Sequence, residues 1–243
     1  MQKIKNTRDT FAKKYLEKEF VIDKSGSKTI ELVNACFLCD ENIILGALNH
    51  DYVARELEWY LSLSLNVNDI PPPIPQIWKN VADPQGFINS NYGWAIFSNE
   101  NGYQYINAKN ELLKNSDSRR SIMIYTRPQM HIDYNKNGRS DFICTNTVQT
   151  LIRNNKLTYI VNQRSCDAWA GFRNDLAWHQ YVYDKLLNEL REVYVDLKSL
   201  PIMFNIGSLH FYEKQFYLVD HYIKTEETFI SKIDYDNLQN GNK

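Results

Sequence analysis

No stretch of the 243 residues offers the roughly 20 consecutive apolar residues that a bilayer-spanning helix needs. Cysteine is scarce: Cys36, Cys39, Cys144 and Cys166 are the whole complement, too few and too scattered for a disulfide framework. The opening MQKIKNTRDTFAKKYLEKEF is charged throughout and carries no signal-peptide pattern. A reducing cytoplasm is therefore expected. An excess of positive charge is also missing, since 28 Lys and Arg stand against 29 Asp and Glu, for a formal net charge of -1. That removes the electrostatic basis of non-specific nucleic-acid binding. Any phosphate must be met by locally grouped arginines, which favours a free nucleotide over a duplex. The glycine-rich GxGxxG and Walker loops are absent as well.

What is present suits a soluble globular protein. Hydrophobic residues make up 43% and aromatics 13%, ample for one core, and one domain over residues 1–243 is expected. Phe11, Tyr15, Leu16 and Phe20 lie close to helical spacing. Residues 20–22 read as a short strand and DKSGSKT (23–29) as a turn. DYVARELEWYL (51–61) reads as an amphipathic helix, and PPPIP (71–75) as a surface loop. Strands are expected over 120–125, 157–161 and 210–219. The clearest helix is 174–193, where Trp178, Val182, Leu186, Leu190 and Val193 share a face. Strands and helices mix without regular alternation, so the class is α+β.

Several patterns suggest chemistry and fail on inspection. DYNKNGRSD (133–141) resembles a calcium loop, but the position that should hold a bidentate Glu is Cys144. Cys36 and Cys39 form a CxxC without the second pair a structural zinc needs, so buried, hydrophobe-like cysteines are expected. No metal is expected. The five tryptophans read as core. His50, His131 and His179 show no ligand spacing and read as solvated or hydrogen-bonded.

The informative stretch runs from DSRR (117–120) through DFICTNTVQ (141–149) to QRSCDAWAGFRND (163–175). Among its residues are the thiol of Cys144, the arginines Arg119, Arg120 and Arg164 and the carboxylates of Asp167 and Asp175, a set suited to thiolate attack on a dianionic substrate. Cys144 and Arg164 are twenty residues apart, within a QRSCD segment. DKSG (23–26), ELEW (56–59), IW (77–78), NYG (91–93), Arg119-Arg120 and GSLHFY (207–212) accompany them in order. In this the chain resembles the thymidylate synthase family over nearly its whole length.

Three departures narrow the likeness. The family's Pro-Cys-His is Ile143-Cys144-Thr145, and its folate-covering C-terminus has no evident match in NLQNGNK. The asparagine that reads uracil falls at Asp175. Cytosine presents an N4 amino donor and an N3 acceptor, where uracil presents O4 and N3–H. A carboxyl group accepts from N4 and, when protonated, donates to N3. The plain alternative for Asp175 is a helix N-cap beside Asn174. Further segments, among them ALNHDYVARELEWY and SRRSIMIYTRPQM, are similar to the phage-encoded hydroxymethylating branch of the family.

That resemblance implies a mixed β-sheet core covered by helices, with a sheet face forming a homodimer interface. It implies a dCMP substrate and 5,10-methylenetetrahydrofolate as co-substrate. Cys144 is the implied nucleophile, activated by positive charge from Arg164. Glu56 is the implied organiser of water and proton transfers, against the plain reading of a solvated helix position. Lys24, Arg164 and Ser165 would bind phosphate, with Arg119 and Arg120 donated across the dimer. His210 and Tyr212 would bind the deoxyribose hydroxyl, Asp175 the base. Trp78, Tyr92 and Asp167 would line the folate side. The expected setting is the cytoplasm of an infected bacterial host, with a nucleotide-synthesis complex as a partner, and neither nucleic acid nor membrane. The rival readings are a thymidylate synthase or dUMP hydroxymethylase, and a non-enzymatic nucleotide-binding scaffold subunit.

Overall fold

In a computed structural model, residues 2–23 and 26–241 are described. Among them the chain forms β1 (Gln2–Lys3), α1 (Ile4–Leu16), β2 (Val21–Ile22), β3 (Lys28–Leu38), α2 (His50–Leu61) and α3 (Gln76–Val81). It continues through α4 (Tyr92–Phe97), α5 (Gln104–Lys114), β4 (Ile122–Ile124), α6 (Met130–Asp133), β5 (Thr145–Arg153) and β6 (Lys156–Asp167). It ends with α7 (Ala170–Arg191), β7 (Lys198–Ser199), β8 (Met203–Tyr212), α8 (Phe216–Thr225) and α9 (Lys232–Gly241). The α+β expectation holds. No described helix is long and apolar enough to cross a membrane.

Two compact units divide the chain, one comprising residues 1–48, 164–177 and 203–243, the other 49–163 and 178–202. In the first, β3 pairs with β8 antiparallel and with β1 parallel. Ile30, Leu32 and Phe37 of β3 and Phe204, Ile206, Leu209 and Phe211 of β8 are buried. The period-2 alternation of strands with one covered face changes phase once on each strand, between Leu32 and Phe37 and between Ile206 and Leu209, where the register passes over Asn34, at φ 59°, and Gly207. Phe11 of α1 meets Phe211 edge-on at 4.7 Å, and Phe172 of α7 packs on Phe37 and Phe204 at 5.6 and 5.5 Å.

In the second unit, β5 pairs antiparallel with β4 and β6, and β7 joins β6 in parallel. Its core is aromatic: Tyr60 stacks on Tyr92 at 5.3 Å and meets Trp178 edge-on at 5.1 Å. Gly93 is required by this packing, because a Cβ there would fall 1.8 Å from the Tyr60 carbonyl oxygen. The PPPIP segment is a loop, as expected. Its prolines lack N–H groups, and the carbonyls of Pro71 and Pro73 accept from Arg55 of α2 at 3.0 and 2.7 Å.

Some expectations need correction. The strand placed over 210–219 ends at Tyr212, and Phe216–Thr225 is helical. Phe216, Val219 and Tyr222 are buried, a spacing of three that a helix, not a strand, puts on one face. The long helix begins at Ala170 rather than 174, so Asp175 lies inside it and is no N-cap. Cys36 is exposed on β3 rather than buried.

Candidate active site

Cys144 stands at the bend that opens β5, half-buried between fully buried Ile143 and Thr145. The segment leading to it is anchored by buried polar contacts. Asp141 accepts from the Asn89 N–H and the Ser90 hydroxyl, both at 2.6 Å, while Arg139 bonds Asp83 at 2.9 Å. The loop over 83–91 and the approach to Cys144 are thereby held together. Beyond Cys144 the register of β5 against β6 shifts between Thr145 and Thr147. The carbonyl of Asn146, between them, accepts from the Tyr125 N–H at 2.9 Å. Such bulges re-aim neighbouring side chains.

Behind the same strand lies His179 of α7, wholly buried. Its Nε2 is 3.4 Å from the Thr145 hydroxyl and its Nδ1 3.3 Å from the Tyr159 hydroxyl. Gln163 donates to the same Thr145 oxygen at 3.2 Å. Burial lowers the His179 pKa to about 3, so this imidazole is neutral at physiological pH. The sequence reading allowed for a hydrogen-bonded His179 but gave no sign that it would back Thr145.

Glu56 is not a solvated helix position: only 6% of it is exposed. One turn before it on α2, Tyr52 donates its phenol proton to Glu56 Oε1. The indole N–H of Trp78 in turn donates to the Tyr52 oxygen at 2.9 Å. Sequence reasoning missed Tyr52. Its i,i+4 spacing to Glu56 was the available signal. Trp78 is half-buried, edge-on to Trp59 at 5.1 Å. Tyr92 is buried at the start of α4. Arg119 and Arg120 are both exposed, and Arg120 is paired with Glu111 at 2.9 Å. All these residues belong to the unit of 49–163 and 178–202.

The remaining site candidates fall in the other unit. Arg164 is exposed and Ser165 half-buried near the end of β6. Gly207 of β8 allows a close approach to Arg164, since a Cβ there would lie 2.7 Å from the Arg164 carbonyl oxygen. His210 and Tyr212 alternate onto one face of β8 and meet edge-on at 5.0 Å. Ser208, on the same face, donates to Glu31 across the strand pair. Burial raises the Asp167 pKa above the ordinary carboxylate range, against the lowering effect of the Trp169 N–H and of His210 and Lys214. Asp175 is half-buried, with the Cys166 thiol 3.8 Å from its Oδ2. Lys24 lies outside the described residues. Among those described, no group of three His, Cys, Asp or Glu is placed to hold a metal ion.

The family model described as Thymidylate synthase matches residues 43–241. Deoxycytidylate 5-hydroxymethyltransferase of Enterobacteria phage T4 is 58% identical over 221 residues, 90% of each chain. The protein of the same name from Enterobacteria phage T6 is 57% identical over the same share. Thymidylate synthase of Francisella philomiragia is 28% identical over 185 residues, 72% of this chain and 65% of that one.

Proposed function

The chain belongs to the thymidylate synthase family, and we propose that it is a deoxycytidylate 5-hydroxymethyltransferase. It converts dCMP to 5-hydroxymethyl-dCMP in the cytoplasm of a phage-infected bacterium. The observation that carries the choice of base is an aspartate at position 175, inside α7 and half-buried. Identity of 58% to the phage T4 protein of that name supports the choice of reaction.

The thiolate of Cys144 adds to C6 of the pyrimidine, which makes C5 a carbon nucleophile. Arg164 lowers the thiol's pKa and, with Ser165 and Lys24, binds the phosphate dianion. Asp175 accepts from the cytosine amino group and donates to N3 when protonated. His210 and Tyr212 meet the deoxyribose hydroxyl. Glu56 orients the water that supplies the hydroxyl and moves protons around the base. Elimination of the Cys144 thiolate restores the aromatic ring.

The co-substrate 5,10-methylenetetrahydrofolate supplies the one-carbon unit when bound. The residues present suit it. The half-buried Trp78 indole offers a ring face to a flat pterin, Tyr92 lines the pocket, and Asp167 has a carboxyl able to accept or donate a hydrogen bond. Two chains pair through a sheet face, each lending Arg119 and Arg120 to its partner's phosphate. Val33 on β3, 76% exposed in the single chain, supports such a pairing.

Incubation with [5-3H]dCMP and methylenetetrahydrofolate tests the reading. Tritium release with formation of 5-hydroxymethyl-dCMP is expected. Turnover of dUMP in its place would make the chain a thymidylate synthase or dUMP hydroxymethylase. Binding of nucleotide without turnover would leave a scaffold subunit.

A further inference from the structure

Glu56 does not act alone. We propose that Tyr52 is its positioning residue, a phenol that holds the carboxylate in place and in its ionised form, and that links it to Trp78. The inference rests on the function proposed above, in which Glu56 orients the attacking water.

Three observations carry it. Tyr52 and Glu56 are four residues apart on α2, so their side chains leave the same face, and the phenol donates to Glu56 Oε1. The phenol oxygen also accepts from Trp78 Nε1 at 2.9 Å. A donor bonded to that oxygen polarises the O–H and strengthens its own donation, as successive bonds in a chain do. Finally, the guanidinium of Arg55 lies 5.6 Å from the Tyr52 ring centroid. Arg55 is fixed there by Asp51 at 3.0 Å and by the carbonyls of Pro71 and Pro73. A cation over the ring favours electron density withdrawn from the oxygen, which again makes the phenol a better donor.

The chemical consequence concerns protonation. Glu56 is buried, and burial alone favours the neutral acid. A neutral carboxyl can still accept a hydrogen bond but has no basicity left to take a proton from the water, the wrong state for a group that must orient and deprotonate a nucleophile. The phenol counters this by bonding to the charged form. The other end of this relay is the indole assigned to the folate, so the phenol is held from the side on which the one-carbon donor is proposed to bind.

Tyr52→Phe keeps the ring and removes the hydroxyl. A fall in kcat of about 10-fold or more is expected, with KM for dCMP within about 2-fold. Loss of a hydrogen bond to a charged group should raise the Glu56 pKa. The acidic limb of the kcat/KM profile should therefore move up by about one pH unit. In the double variant with Trp78→Phe, which removes the indole N–H, no further limb shift is expected, because the donor it strengthens is gone. Incorporation of 3,5-difluorotyrosine at position 52 keeps the hydroxyl and makes it more acidic. It should move the limb the opposite way, and it serves should Tyr52→Phe fail to fold. An unchanged limb in both position-52 variants would overturn the proposal, even if stability fell. Wild-type protein assayed alongside must yield 5-hydroxymethyl-dCMP. Its failure would instead remove the function on which the inference rests.

Discussion

The surroundings of Cys144 and those of Arg164 are built on opposite principles. Around Cys144 the neighbours are buried and largely uncharged: Ile143, Thr145, Tyr125, Tyr159 and a neutral His179. They are fixed by side-chain hydrogen bonds and by edge-on rings such as Tyr125 on His179 at 5.9 Å. In the unit that holds Arg164 the polar site candidates are half-exposed or exposed, among them His210 and Asp175. Backbone strand geometry positions Arg164 and His210, through Gly207 and the alternation of β8. A covalent step gains from rigid, water-poor surroundings, where charges act strongly. Capture of a phosphate dianion needs charges that reach solvent and meet the ligand there. On the proposed function, the covalent step falls to the first kind of scaffold and capture of the substrate to the second.

Substitutions should therefore fall into two classes, rate effects in the first region and affinity or selectivity effects in the second. The sharpest separation comes from Cys144→Ser. Turnover should fall by about 1,000-fold or more while calorimetry still registers dCMP binding. A rate within tenfold of wild type would end the distinction at once. Next, Asp175→Asn should lower the dCMP-over-dUMP ratio of kcat/KM by about 100-fold or more, since mismatched polar groups discriminate strongly. An unchanged ratio would mean that Asp175 does not read the base. Arg164→Ala should raise KM for dCMP by about 10- to 100-fold. A change confined to kcat would place Arg164 with the chemistry instead.

The smallest effect is a pH dependence of stability. His179 titrates near 3 when folded and near 6.5 when unfolded. Between those values the unfolded chain holds a proton that the folded chain excludes. The contribution of His179 is thus fully present above about pH 6.5 and is lost as pH falls, by up to about 1.4 kcal/mol per unit. Urea unfolding at pH 7 and pH 5 should show a shallower loss in His179→Gln than in wild type. Equal slopes would mean that His179 is not the group responsible.

Much of this was legible in the sequence, for reasons the structure makes physical. The twenty-residue interval from Cys144 to Arg164 is a hairpin: Thr145 and Gln163, the next residues inward, are register partners of β5 and β6. Gly93 and Gly207 appear in the motifs because backbone approaches closely there. The amphipathic periods of α2 and α7 placed Trp59 and Trp178 in the core. The strand expected through 219 failed because an aromatic run is apolar on either period, and the three-residue turn at Glu213–Gln215 carries no glycine or proline to mark it.

By itself, then, the sequence determined the α+β class, read from local period and composition, and the family, read from the order and spacing of its motifs; the roles proposed for Cys144, the arginines and Asp175 follow from that family likeness. Tertiary structure alone decided which groups support them. Tyr52 is bonded by Trp78 from 26 residues away, Thr145 faces His179 across 34, and Asn89 donates to Asp141 across 52. Pairings over such distances have no period to betray them. They exist because folding removed these polar groups from water, and each buried group then required a partner wherever the packing could bring one.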